Sequence, residues 1–209
     1  MDIAANQVIR DLKITQLLAL SEDMYAPFPK DSSQKEIDRS KYWFKQRWQF
    51  KFATDKENGI KHIIYYVFSD KPAKRSANFD RQVIKGSLKH ELAKDFEGNY
   101  IYGGDTYIYK RSEMRNVKYD LTQKYGIKRV EMLSSYGRKK DGYIKILFDN
   151  FGKVFLYEGK RGDGKDYNPI DRKLLTFDAK IRLCKDTECM ECIQINLTPL
   201  GYLYKSGCK

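Results

Sequence analysis

Asp141-Gly142-Tyr143-Ile144-Lys145-Ile146-Leu147-Phe148-Asp149-Asn150-Phe151-Gly152-Lys153-Val154-Phe155-Leu156-Tyr157-Glu158-Gly159-Lys160-Arg161 is the stretch around which the second half of the chain is organised. Two apolar runs, Gly142 to Asp149 and Val154 to Glu158, flank Asn150-Phe151-Gly152-Lys153, and Asn and Gly are residues that tight turns favour. Runs of this kind on either side of a turn read as a pair of strands. Side chains on a strand alternate faces, so Glu158 and Lys160 share one face while Gly159 takes the other.

Working outward, Ser112 to Tyr125 carries Met114, Val117, Leu121 and Tyr125 at helical spacing, with Gly126 placed to end the helix. Ile127 to Leu133 reads as a strand, and Gly137 to Gly142 as a basic turn leading into Asp141. Asn168-Pro169 has the composition of a helix start, and Ala179 to Lys185 and Glu191 to Leu197 read as strands. In the first half, Val8, Ile9, Leu12, Leu17 and Leu18 predict an amphipathic helix over Ile3 to Leu20. A loop with Pro27 and Pro29 spans Tyr25 to Ser40. Tyr42 to Ala53 and Lys61 to Ser69 form a long hairpin about Asp55 to Gly59. A helix is expected over Phe79, Val83, Leu88, Leu92 and Phe96, then a hairpin about Gly103-Gly104-Asp105. The predicted fold is α+β. A mixed central sheet has flanking helices, with a helix-strand-strand-strand-helix-strand core in the second half and an N-terminal helix plus hairpins before it. Residues 1–209 form one domain, in which 1–110 serve recognition or dimerisation and 111–209 form the core.

Lys and Arg total 40 against 28 Asp and Glu, a formal charge of +12 that attracts polyanions, nucleic acid first among them. Aromatic residues make up 14% of the chain, including 16 Tyr, and some alternate with cations, as in Lys41-Tyr42-Trp43-Phe44-Lys45 and Tyr109-Lys110-Arg111. Such interleaving can stack bases and pair phosphates, although Tyr is also an ordinary strand residue. With no apolar run near the roughly 20 residues of a membrane span and no signal-peptide pattern at Met1, a cytoplasmic protein without membrane contact is expected.

The strand order, together with Asp141 opening one strand and Glu158-Gly159-Lys160 closing its neighbour, resembles the PD-(D/E)xK nuclease superfamily, which includes many type II restriction endonucleases. The resemblance covers roughly residues 111–200. The acidic-x-Lys triplet recurs at Asp11, Asp163, Asp171 and Asp178, but only the copy at Glu158 closes an apolar strand. Lys140 stands where the family usually has Pro. The resemblance implies a Mg²⁺-dependent endonuclease acting on duplex DNA. Asp141 and Glu158 are then the metal ligands, Lys160 the catalytic cation, and Arg138, Lys139, Lys140, Arg161 and Lys165 the contacts to the backbone. Asp149 is a rival ligand, Glu131 an additional carboxylate, and a palindromic site implies a homodimer.

Cys184, Cys189 and Cys192 are spaced C-x4-C-x2-C, with Cys208 beyond, so four thiolates could reach one Zn²⁺. Disulfides and free thiols are the alternatives, and the cytoplasmic reading favours free thiols. His62 and His90 are expected to be structural. Two other functions compete with nuclease activity. One is a non-catalytic nucleic-acid-binding protein of viral or phage type. The other is an inhibitor or assembly protein that meets an acidic protein surface.

Overall fold

In the computed structural model, residues 1–22, 47–69, 92–104, 114–140, 144–157 and 172–208 are described. Strands β1 (Trp48–Glu57) and β2 (Ile60–Ser69) pair antiparallel from Trp48 with Ser69 down to Glu57 with Ile60. Asn58 (φ 49°) and Gly59 (φ 80°) close the hairpin; both lie in the left-handed region that matches the twist of the strands. Phe50, Phe52, Ile63, Tyr65 and Val67 enter the main core, whereas Ala53, Ile64, Tyr66 and Phe68 form a second cluster with Leu92 and Tyr102. Both faces of this hairpin are therefore buried. That explains the continuous apolar run Ile63 to Phe68 in β2, and on β1 it buries Gln49 and Lys51 as well.

The helix α1 (Asp2–Ser21) lays Ala4, Ala5, Val8, Leu12, Thr15 and Ala19 against the core and packs on both β1 and the later strand Cys192–Leu197. Three alanines keep the contact close. Leu17, expected on the buried stripe, is 56% exposed because it lies well off the line that Val8, Leu12 and Ala19 define.

The second half departs from a mixed sheet. Strands β3 (Arg129–Ser134), β4 (Gly137–Lys140), β5 (Lys145–Phe148), β6 (Val154–Tyr157), β7 (Arg172–Leu174), β8 (Ala179–Cys184), β9 (Cys192–Leu197) and β10 (Leu203–Gly207) follow in chain order. They complete two five-stranded sheets, ordered β2-β1-β5-β6-β7 and β10-β9-β8-β3-β4. Each pairing between these strands is antiparallel. The chain changes sheet between β4 and β5. Val130 and Met132 on β3 and Ile146 and Phe148 on β5 nevertheless converge on one core, because the apolar faces of two sheets and a helix can be buried together.

One expected helix is corrected, and a second at its C-terminal end. Around Ser112 to Tyr125 the described chain makes only a 3-10 turn, Val117–Tyr119, and a short helix α2, Leu121–Tyr125. Between them Asp120 is extended and bridges to Ile64. The side chains of Asn116 and Asp120 accept from the N–H groups of Lys118 and Gln123, so each caps a new turn instead of continuing a helix. Gly126 (φ 70°) ends α2 as expected. Of the helix expected over Phe79, Val83, Leu88, Leu92 and Phe96, the part before Leu92 lies outside the described residues; Leu92 bridges to Phe68, and Phe96 is 81% exposed. The helix opening at Asn168-Pro169 begins outside the described residues, and Arg172–Leu174 is a strand.

Candidate binding face

The hairpin β5–β6 is present, with Ile146 opposite Leu156 and Phe148 opposite Val154. Asp141, Glu158, Lys160, Arg161 and Lys165 lie outside the described residues, as do His90 and the aromatic runs at 41–45 and 109–111. Asp149 is a turn residue, since its Oδ1 accepts from the backbone N–H groups of Phe151 and Lys153 at 2.9 Å each. Glu131 belongs to the other sheet and pairs with Arg129 while 1% exposed. The run Gly137–Lys140 is not a turn but the edge strand β4.

The expectation of zinc at Cys184, Cys189, Cys192 and Cys208, and equally that of free thiols, is overturned. Cys184 is bonded to Cys189 and Cys192 to Cys208. A sulfur engaged in a disulfide has no thiolate to offer a metal. Among the described residues no group of three or more His, Cys, Asp or Glu is arranged to hold one. Cys184 ends β8 and Cys189 lies in the loop to β9; Cys192 begins β9 and Cys208 follows β10. The two bonds thus staple the β8-β9-β10 meander at one end.

The register of that sheet sets residues in rows across the strands. Lys140, Glu131, Arg182, Gln194 and Ser206 occupy one row. Arg138, Leu133, Lys180, Asn196 and Tyr204 occupy the next. The apolar Ile181, Leu183, Ile193 and Ile195 between them face the core. Gln194 Nε2 donates to Asn196 Oδ1 at 2.9 Å and to Ser206 Oγ at 3.2 Å, and Asn196 Nδ2 donates to Ser206 Oγ at 3.0 Å. Arg182 Nε reaches Gln194 Oε1 at 3.4 Å. This amide and hydroxyl lattice is itself buried, as is Glu131, which is already matched by Arg129; beside it Lys180 is exposed and Arg182 half-buried. Such a face can receive carboxylate or phosphate oxygens; it holds no assembled nucleophile and base.

Three buried polar groups elsewhere serve the fold. Under α1, Tyr65 Oη donates to Asp11 Oδ2 at 2.6 Å, and Gln7 Nε2 donates to Tyr65 Oη at 2.6 Å. Burial pushes the Asp11 carboxyl above its ordinary range against the opposing hydrogen bonds from Arg10 and Tyr65. Asp95 is also buried, but hydrogen bonds from Tyr119 and Lys118 outweigh that burial and hold its carboxyl low. At the hairpin, Asp120 Oδ2 accepts from Arg115 at 3.0 Å and meets His62 Nδ1 at 2.8 Å, while Arg115 also reaches Glu57 at 2.8 Å. Those contacts tie the segment before α2 onto β2, so His62 has a structural role.

Sequence reasoning passed over Arg129, Lys180, Arg182, Gln194 and Asn196. Their alternation with Ile181, Leu183, Ile193 and Ile195 was the available signal, and it marked one polar face on each of two strands. That those faces lie side by side needed the register. No protein-family model, no curated protein and no solved structure matches this chain.

Proposed function

We propose that this chain is a non-catalytic docking or assembly protein that works in a non-reducing compartment and binds an acidic protein surface through the outer face of the β10-β9-β8-β3-β4 sheet. The observation that carries the reading is the pair of disulfides that staple this same sheet, because disulfides persist where thiols are not kept reduced. No described helix is long and apolar enough to cross a membrane. The large tyrosines Tyr65, Tyr66, Tyr102 and Tyr119 are fully buried and cannot stack bases, whereas Tyr204, 51% exposed, stands in the rows of this sheet. Rim charges of this kind steer encounter and are sensitive to salt. The test compares binding of poly-L-glutamate and of a duplex oligonucleotide to the oxidised protein at physiological salt. Polyglutamate binding that the pair K180E/R182E weakens supports the reading, and preference for the oligonucleotide overturns it.

A second reading keeps the Mg²⁺-dependent nuclease, with Asp141 and Glu158 as ligands and Lys160 as catalytic cation. It draws support from the β5–β6 hairpin, which joins the strands that lead to these residues. Plasmid incubated with Mg²⁺ or with EDTA decides it: cleavage that depends on Mg²⁺ and is lost in E158A and K160A supports a nuclease, and an intact plasmid ends that reading.

A further inference from the structure

Large apolar side chains exposed singly are ordinary on a protein surface, but contiguous ones mark contact sites. One such group gathers at the C-terminal end of α1. Leu20 is 53% exposed and stands beside the turn that carries Phe151 (75%), Leu17 (56%) lies one helical turn before it, and a second turn brings Leu200 (69%) and Tyr202 (69%) to the same helix end. The three pieces are fastened together. Gln16 Nε2 donates to the carbonyl of Gly152 in the β5–β6 turn and to that of Leu200 in the β9–β10 turn, at 3.2 Å each. Both turns carry a glycine at positive φ, Gly152 at 74° and Gly201 at 82°. A side chain at Gly201 would meet the Gln16 amide at 2.1 Å, and one at Gly152 would meet Leu20 at 3.3 Å. The helix end therefore nests against one turn from each sheet, and the apolar side chains project from a braced platform.

The charge around the platform indicates its occupant. Lys13 lies one helical turn before Leu17 on the same side of α1, and Lys153 follows Gly152; both are exposed. A second copy of a chain with a formal charge of +12 would bring like charges together. We infer that this platform docks a protein segment with an apolar ridge flanked by carboxylates, the ridge covering Leu17, Leu20, Phe151 and Leu200 and the carboxylates meeting Lys13 and Lys153. The inference rests on the docking reading above and assigns it an anchoring surface distinct from the basic sheet face. Apolar anchors supply residence time, while the cations select an acidic partner over a basic one.

The test uses the oxidised full chain and two labelled amphipathic helical peptides, each with a leucine stripe, one flanked by Glu and one by Lys, followed by fluorescence anisotropy. The Glu peptide should bind at least about tenfold tighter than the Lys peptide. L17S/F151S should weaken it by about tenfold or more, and K13E/K153E should invert the preference. All four positions are exposed, so circular dichroism should report an unchanged fold. Equal binding of both peptides, or no binding of either, overturns the inference. Loss of Glu-peptide binding in K180E/R182E but not in L17S/F151S also overturns it, yet leaves the docking reading standing on the sheet face. Self-association in sedimentation runs that F151S abolishes assigns the platform to a second copy and overturns the acidic partner.

Discussion

Removing the Cys192–Cys208 bond by the double substitution C192S/C208S should cost about 3 kcal/mol. The bond joins residues 16 apart, and the loop-closure entropy it removes from the unfolded chain corresponds to about that free energy at 25 °C. The Cys184–Cys189 bond closes a loop with a separation of only 5, which by the same relation is worth about 2 kcal/mol. In the folded protein the longer bond holds the edge strand β10, where Gly207 pairs with Ile193 next to Cys192. For a chain of this size about 1 kcal/mol shifts Tm by about 2–4 °C, so C192S/C208S should melt about 6–12 °C lower. The assay is a calorimetric or fluorescence melt of the wild type with and without a phosphine reductant, and separately with EDTA. Reductant should lower Tm in the wild type by more than the double substitution does, since it opens both bonds. EDTA should have no effect. Peptide mapping without reduction should recover links between Cys184 and Cys189 and between Cys192 and Cys208. A melt indifferent to reductant but lowered by EDTA would refute the reasoning, as would a recovered Cys189–Cys192 link.

Three further outcomes follow from the buried polar groups and the first turn. Asp120→Ala should destabilise by about 3–5 kcal/mol in urea titration, because it leaves Arg115 and His62 without their shared oxygen in a site where Asp120 is fully buried; a loss under about 1 kcal/mol would mean the segment before α2 is held otherwise. Asp11 titrates higher in the folded chain than its ordinary 3.8, so the native state binds more protons just above that pH and stability should fall as pH rises through this window. Asp95 titrates below 3.8 and acts in the opposite sense, with stability lost as pH falls through its folded value, so the two effects occupy separate windows. Asp11→Asn should remove the upper slope alone, and an unchanged slope in urea melts would show that Asp11 is not its source. Gly59→Ala forces a side chain into φ 80° and should cost about 1 kcal/mol by urea melt; no measurable loss would mean the turn relaxes to another form.

Local pattern was enough for much of the architecture. The Asn58-Gly59 hairpin, the helix α1, the turn at Gly152, the αL end at Gly126 and the strands β3, β5, β6, β8 and β9 all follow from alternation, helical spacing and turn chemistry within a few residues. These features are legible because the forces that set them act between near neighbours. The break at Asp120 shows where that logic stops. Its apolar neighbours fit a helix, but a bridge to Ile64 and the contacts of His62 and Arg115 hold it extended. Those partners are remote or hidden in any local window.

The candidate site divides in the same way. The excess of cations was visible in composition, and the spacing of the four cysteines was visible in the chain. Which cysteine met which, and so whether zinc, free thiols or disulfides resulted, depended on bringing the end of β8, its following loop, the start of β9 and the residue after β10 to one end of a meander. The sequence determined β1, β2, β3, β5, β6, β8 and β9 and the charge, but not β4, β7 or β10. Only the tertiary structure decided that β4 and β5 join different sheets, that Lys180 and Arg182 stand beside Asn196 and Gln194, and that Gln16 fastens the end of α1 to the turns at Gly152 and Leu200. The physical reason is that strand pairing and helix docking satisfy hydrogen bonds and bury apolar faces between segments far apart in the chain, and no local pattern encodes which distant edge will supply the partner.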